Sequence, residues 1–237
     1  NGAATVVNDA GIEFAASTVR GALTATATTG DITDSGTLTI TGASIFTTRV
    51  GGSNIVLDSS ANAFAAAVTM KADTGGDETF GNITFVDSAA VKLHSSAGTN
   101  GDLFIDAGTD LAVGGNLSIT ATTGNITQGS EVAVGGTTTL VTSANDATIT
   151  LNDADNAFTG ALTITTNDNS GTDAAVIIDG GTTALIIAAS TIDGNLTLTS
   201  GATAGITDSG TVTVGGDLAA TTDAGNGVIN MDQLAVD

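Results

Sequence analysis

The chain has 237 residues, with 25 Asp and Glu against four Lys and Arg, a net charge of −21, and no proline, cysteine, tryptophan or tyrosine. That balance excludes a phosphate-binding surface, and with it nucleic acid as a partner, and it opposes adhesion to anionic membranes. No run reaches the roughly 18–20 apolar residues of a membrane span, so no membrane insertion is expected. With 3% aromatic residues and 32 glycines, the expected core is thin and filled by Val, Ile, Leu and Ala; the lack of cysteine removes disulfides without fixing a compartment.

The opening residues read as the tail of a repeating unit, because residues 11–23, GIEFAASTVRGAL, match residues 184–196, ALIIAASTIDGNL, at an offset of 173. Asn1 is not an initiator, so a signal or larger precursor is expected upstream. The next block, GALTATATTGDITDSGTLTITG (21–42), returns as GNLSITATTGNITQGSEVAVGG (115–136) and as GNLTLTSGATAGITDSGTVTVGG (194–216). The offsets are 115 − 21 = 94 and 194 − 115 = 79, so the two units differ by 15 residues, which reads as one short coil gained or lost. The chain is accordingly one domain of imperfect repeats: the end of a preceding module (1–20), module 1 (21–114), module 2 (115–193) and a partial module 3 (194–237).

Residues 54–70, NIVLDSSANAFAAAVTM, recur as residues 148–164, TITLNDADNAFTGALTI. Ile55 and Leu57 thus correspond to Ile149 and Leu151 and, 80 positions further on, to Ile229 and Met231. Their shared parity places all six on the inward face of a strand. Short runs such as TLTIT (37–41), NLSIT (116–120) and TVTVG (211–215) alternate apolar or β-branched residues with Thr, the period-two pattern of half-buried strands. Nothing carries a helical period. Glycine, Asn and Asp punctuate the strands, and DTGGDE (73–78) and NDNSGTD (167–173) read as turns.

The fold this predicts is an all-β, right-handed parallel β-helix (β-solenoid), uncapped at both ends, with roughly 20 residues per coil, about 12 coils and a length on the order of 55 Å. A β-sandwich is disfavoured, since hairpin spacing does not require a residue to recur 94 and then 80 positions later. Both AATVVND at the start and GVINMDQLAVD at the end resemble ordinary rungs, so further repeats or further copies of the same protein are the expected partners.

Candidate chemistry is sparse. Asp87, Asp102, Asp106 and Asp110, with Lys92, His94 and Phe104, surround the inserted coil at 101–114 and form the one cluster from which a polysaccharide-cleaving site could be assembled. The basic positions do not recur: Lys92 corresponds to Ile186 and Glu13, Arg49 to Ser143 and Asp223, Lys71 to Thr165, and Arg20 to Asp193. His94 aligns with Ala188 and Ala15 and is expected to face solvent, with no second His or Cys to share a metal. Asp168, Ser170, Thr172 and Asp173 could offer oxygens to a weak calcium site, although their spacing fits no complete calcium motif. No catalytic, cofactor-binding or metal residue is assigned, no cofactor beyond weak Ca2+ at acidic turns is expected, and the chain is not expected to be an enzyme.

Outward Thr pairs (Thr24/Thr26, Thr37/Thr39, Thr163/Thr165, Thr197/Thr199, Thr211/Thr213) raise an ice-binding reading, which Glu131 and Ala133 at corresponding places weaken. Asn82, Asn116, Asn125 and Asn195 each open an Asn–x–Ser/Thr triplet, which a Gly–Asn pair entering a Thr-rich strand produces without any need for glycosylation.

Residues 115–140, GNLSITATTGNITQGSEVAVGGTTTL, followed by 144–164, ANDATITLNDADNAFTGALTI, resemble the long repeat arrays of filamentous-haemagglutinin-like adhesins and related giant surface proteins of Gram-negative bacteria. The resemblance covers nearly the whole chain and transfers no catalytic residue. It implies an extracellular β-helical shaft at the bacterial surface that supports attachment, aggregation or biofilm structure. The second reading is a surface module that binds a glycan or host protein at the inserted coil.

Overall fold

The computed structural model describes residues 2–72, 81–94, 102–105, 112–167, 174–223 and 225–236. A strand with apolar residues on one side and Thr on the other buries its apolar side by stacking coils, and here successive strands lie parallel and in register on one another. No helix is present among the described residues. The molecule is a parallel β-solenoid.

Two broad faces oppose each other. On face 1, the strand Leu23–Ala27 is succeeded by Ser44–Thr48, Val68–Lys71, Val91–His94, Ile126–Gln128, Ile149–Leu151, Val176–Asp179 and Leu196–Ser200, which is seven turns in 196 − 23 = 173 residues, or about 25 per turn. On face 2, Ile12, Ile32, Ile55, Ile83, Leu117, Thr138 and Leu162 stack in a column. The chain makes about nine turns, a stack about 43 Å tall at roughly 4.8 Å per strand. The expected 12 coils of 20 residues were too many and too short because the corners take more chain than the strand runs suggest.

Between the faces lie two edges, and among the described residues only one at a time carries a strand. In the first part a short third strand sits where the chain returns from face 2 to face 1, as in Ser17–Val19, Leu38–Ile40 and Ala63–Phe64. In the middle it lies where the chain passes from face 1 to face 2, in Ala112–Val113, Ala133–Val134 and Ala157–Phe158. From Ser190–Ile192 onward it is back on the return edge.

The repeats are therefore out of phase with the coils. Leu23–Ala27 and Leu196–Ser200 belong to face 1, whereas their counterpart Leu117–Ala121 belongs to face 2. Each module turns three and a half times, so the middle copy sits half a turn away from its neighbours.

The expected short extra coil is instead a single strand. Asp102–Ile105 lies in face 1 between Val68–Lys71 and Val91–His94, out of sequence order and parallel to both. Face 1 consequently has 11 strands.

Inward positions form one continuous apolar cluster. Ile55, Leu57, Ile149 and Leu151 are all fully buried, as their parity requires. Their third counterpart, Ile229, is 47% exposed because its strand closes the stack and has a neighbour on one side only.

The expectation of a core without aromatic rings fails. Phe14 packs edge-on to Phe46 and Phe46 to Phe64, with centroids 6.2 and 6.3 Å apart, and Phe64 lies tilted against Phe85 at 5.1 Å. Stacked coils bring equivalent positions together, so even a few rings suffice to build a ladder.

The recurring glycines of the repeat sit at corners. The Gly42 N–H donates to the Gly21 carbonyl, and a Cβ at Gly42 would lie 2.5 Å from the Gly21 carbonyl carbon. Gly205 is required twice over: its φ is +71°, and a Cβ there would fall 1.7 Å from the Val228 carbonyl oxygen.

Two equivalent inward hydroxyls, Ser44 Oγ and Thr138 Oγ1, are buried without a hydrogen-bond partner, where the third repeat has Leu218. Thr138→Val keeps the shape and removes the orphaned group. We expect it to stabilise the chain by about 1 kcal/mol, a rise in Tm of about 2–4 °C; a lower Tm in a thermal melt would show that the hydroxyl is satisfied.

Candidate functional site: polar ladders at corners and edges

The positions that carry side-chain chemistry are corners and edges, and there the solenoid spends its polar groups on itself. The residue immediately before an inward-facing strand residue repeatedly supplies a side-chain oxygen to the coil above. Asp31 Oδ1 accepts the Asn54 N–H (2.8 Å), Asn54 Oδ1 the Asn82 N–H (2.9 Å), Asn82 Oδ1 the Asn116 N–H (2.8 Å) and Asn116 Oδ1 the Thr137 N–H (2.8 Å). Asn125 and Asn195 repeat the bond to Thr148 (2.9 Å) and Asp217 (2.8 Å). All four triplet asparagines are thus rungs of a ladder, each holding a backbone N–H of the next coil.

A second set of groups is buried at the edge. On the return edge, Asp34 Oδ1 accepts the Asp58 N–H (2.9 Å), and Asp34 Oδ2 accepts from Asn62 Nδ2 (2.6 Å). Asn62, fully buried, accepts the Leu38 N–H at 2.8 Å. In the middle module the same node appears on the opposite edge. Gln128 and Asn156 exchange amide hydrogen bonds (2.9 and 3.1 Å), while Asn156 also accepts the Val132 N–H (2.8 Å) and donates to the Asp179 carbonyl (3.0 Å). Asp208 takes the corresponding place in the third repeat and accepts the Gln233 N–H at 2.8 Å.

Asn62, Asn156 and Gln128 escaped the reading of candidate residues. Their signal was the Asn–Ala–Phe triplet at 62–64 and 156–158, which recurs at the 94-residue offset with its polar member unchanged. A polar residue repeated beside an inward Phe marks a buried acceptor and donor for backbone.

Asp87, expected to join a sugar-facing cluster, points into this edge instead. It is 2% exposed, and its Oδ1 accepts the Phe64 N–H at 3.3 Å. Burial pushes its carboxyl up to about 6, against the lowering effect of the backbone N–H groups of Phe64, Ala89 and Ser88. Of the other cluster members, Asp102 lies on the added strand of face 1, while Asp106 and Asp110 fall outside the described residues. Lys92 is partly exposed between buried Val91 and Leu93.

The calcium candidates Asp168, Ser170, Thr172 and Asp173 lie outside the described residues. Among the described residues no group of three or more His, Cys, Asp or Glu side chains could hold a metal ion. Asp179 is shifted upward by burial, with Asp223 and Asp153 adding like charge against one hydrogen bond from Gly181. The Thr pairs do not assemble into one surface. Thr24/Thr26 and Thr197/Thr199 are on face 1, Thr163/Thr165 on face 2, and Ile45 and Ala219 interrupt the face-1 columns in register.

Replacing Asn156 by Ala removes the acceptor for the Val132 N–H and the two amide bonds with Gln128, whose Nε2 still donates to the Ser130 carbonyl and whose Oε1 still accepts the Asp153 N–H. We expect a loss of about 2–4 kcal/mol, read as a lower urea midpoint; a loss below about 0.5 kcal/mol would mean that the node is not a stabilising element.

Asp87 has a folded pKa of about 6 and an ordinary value of 3.8. Its neutral form is favoured by folding, so its contribution is fully present below about pH 4 and is lost as pH rises through about 6. Asp87→Asn retains an acceptor for Phe64. Its stability advantage over the parent chain should be smallest near pH 4 and reach on the order of 1–3 kcal/mol above pH 6; a pH-independent difference in paired melts would contradict this.

One family model matches the chain, described as repeats of unknown function (DUF5649), over residues 1–71, 99–165 and 173–237. No curated protein and no solved structure matches it.

Proposed function

The chain belongs to the DUF5649 family of repeats, and from that premise we propose that it is a structural β-solenoid, the shaft of a large extracellular adhesin or filament at a bacterial surface, whose task is reach and stiffness. The observation that carries this reading is the use made of polar side chains: the Asn ladder and the buried edge nodes tie one coil to the next. A ligand-binding surface needs such groups free, whereas a rod needs them spent on axial cohesion.

The strand ladders support the same reading. Among the described residues, successive coils are bonded along both faces, so extension along the axis would break many hydrogen bonds together. The net charge of −21 keeps rods apart in solution. Further repeats or copies stacked on the end rungs, where Val7 is 65% and Val228 53% exposed, are the partners this proposal calls for. It requires no cofactor and no catalysis. The adhesin assignment draws on the likeness of residues 115–140 and 144–164 to adhesin repeat arrays.

A second reading, a module that binds carbohydrate or protein, is favoured by one observation: among the described residues the strand order of face 1 is broken at Asp102–Ile105. Loss of glycan or protein capture on removing residues 101–114, with the melt unchanged, would favour it.

The shaft reading makes a metric prediction. Leu196 is on the same face as Leu23 after seven turns, so a chain in which residues 1–195 are followed by residues 23–237 keeps the coil phase. It should be a rod longer by about 34 Å, with one cooperative melt. Images or solution scattering showing two separate bodies, or no lengthening, would sink the spacer function.

A further inference from the structure

The Asp102–Ile105 strand sits in a slot for which the repeat supplies its own control. In the next module the counterparts of Val68–Lys71 and Val91–His94 are Leu162–Thr165 and Leu185–Ile187, and these pair directly, with Leu162 opposite Ile187. Transferred to module 1, that register sets Val68 opposite Leu93. Leu103 is the residue that stands between them: it is paired to Val68 on one side and to Leu93 on the other. The added strand has entered a ladder without shifting the register of the strands it separates.

A strand that enters in register leaves in register. When it is absent, Val68–Lys71 and Val91–His94 can meet in the pairing already seen one module later. One of two ladder rows is lost, but the unpaired edges are not left open. The strand is also present on one face alone, so face 1 is longer there by one strand spacing, about 4.8 Å. Closure of the slot would relieve that mismatch.

We propose that Asp102–Ile105 is an exchangeable strand, and that its slot in face 1 is a docking site for the same strand of a second copy, linking solenoids side by side. The occupant follows from the geometry. Whatever fills the slot must pair in parallel with Val68–Lys71 and Val91–His94, and the segment already shown to do so is Asp102–Ile105 itself. An exchanged strand makes the same bonds between copies as within one, the usual basis of swapped assemblies. This is a lateral contact, distinct from stacking at the ends, and it stands whether or not the shaft reading does.

The chain has no cysteine, so disulfides can report strand neighbours cleanly. Thr69 is the register partner of Phe104, and parallel partners about 4.8 Å apart lie within disulfide reach. Two full-length chains, one carrying Thr69→Cys and the other Phe104→Cys, are unfolded together, refolded at high concentration and oxidised. The expected result is a covalent heterodimer in several-fold excess over either homodimer, alongside an internal bridge when both cysteines share one dilute chain. An internal bridge with no excess of heterodimer would overturn exchange, and no internal bridge would overturn the slot itself.

Closure is tested separately. Thr69 and His94 are both paired with Phe104, on opposite sides, so they are about 9.6 Å apart in the full chain, too far to bridge. Removing residues 95–109 should let Thr69→Cys and His94→Cys form a disulfide in a folded chain whose melt is within a few degrees of the parent. An unfolded product, or a folded one without the bridge, would refute in-register closure.

Discussion

Everything in this molecule depends on one constraint: each residue must lie about one strand spacing above its register partner in the neighbouring coil, so columns of side chains run along the axis. Apolar columns gain from this arrangement, as the run Ile12, Ile32, Ile55 and Ile83 shows. Carboxylates do not, because stacking repeats their charge at short range. Asparagine satisfies the constraint where aspartate would meet repulsion, since its oxygen can accept a backbone N–H from the next coil without charge. The Asn54, Asn82, Asn116 series follows from that difference.

The same constraint governs the corners. Where one coil crosses closely over another there is no room for a side chain, and Gly21 and Gly42 occupy such a crossing with a direct backbone hydrogen bond between them. The glycine that frames each repeat is therefore a record of axial crowding, while the Thr and Val between the glycines record the exposed and buried sides of a strand. Edge nodes close the remaining gap. Buried backbone at an edge lacks a strand partner on one side, and Asp34, Asn62, Gln128 and Asn156 reach in to satisfy it.

Much of this was legible in the amino-acid order. The period, the parallel stack and the inward parity of Ile55, Leu57, Ile149 and Leu151 follow from recurrence and alternation, both of which are local and additive. Coil length was not, because Gly–Asn–Asp corners consume chain without leaving an apolar mark. The Phe ladder was missed for a related reason: composition counts rings, whereas stacking decides whether Phe14, Phe46, Phe64 and Phe85 meet. Asp87 was misplaced because a carboxylate in an acidic chain reads as solvated, and only the strand register shows that it follows buried Phe85 and Val86 into the edge. The position of Asp102–Ile105 could not be read at all. Out-of-order insertion depends on which strand pair opens, and sequence separation carries no sign of it.

The mismatch between repeat and coil has a consequence for how such a protein could vary. A unit of three and a half turns acts as an angular step. Adding or losing one such unit rotates whatever is attached beyond it to the opposite side of the axis, and a second restores the original heading. Copy number in this architecture sets direction as well as distance.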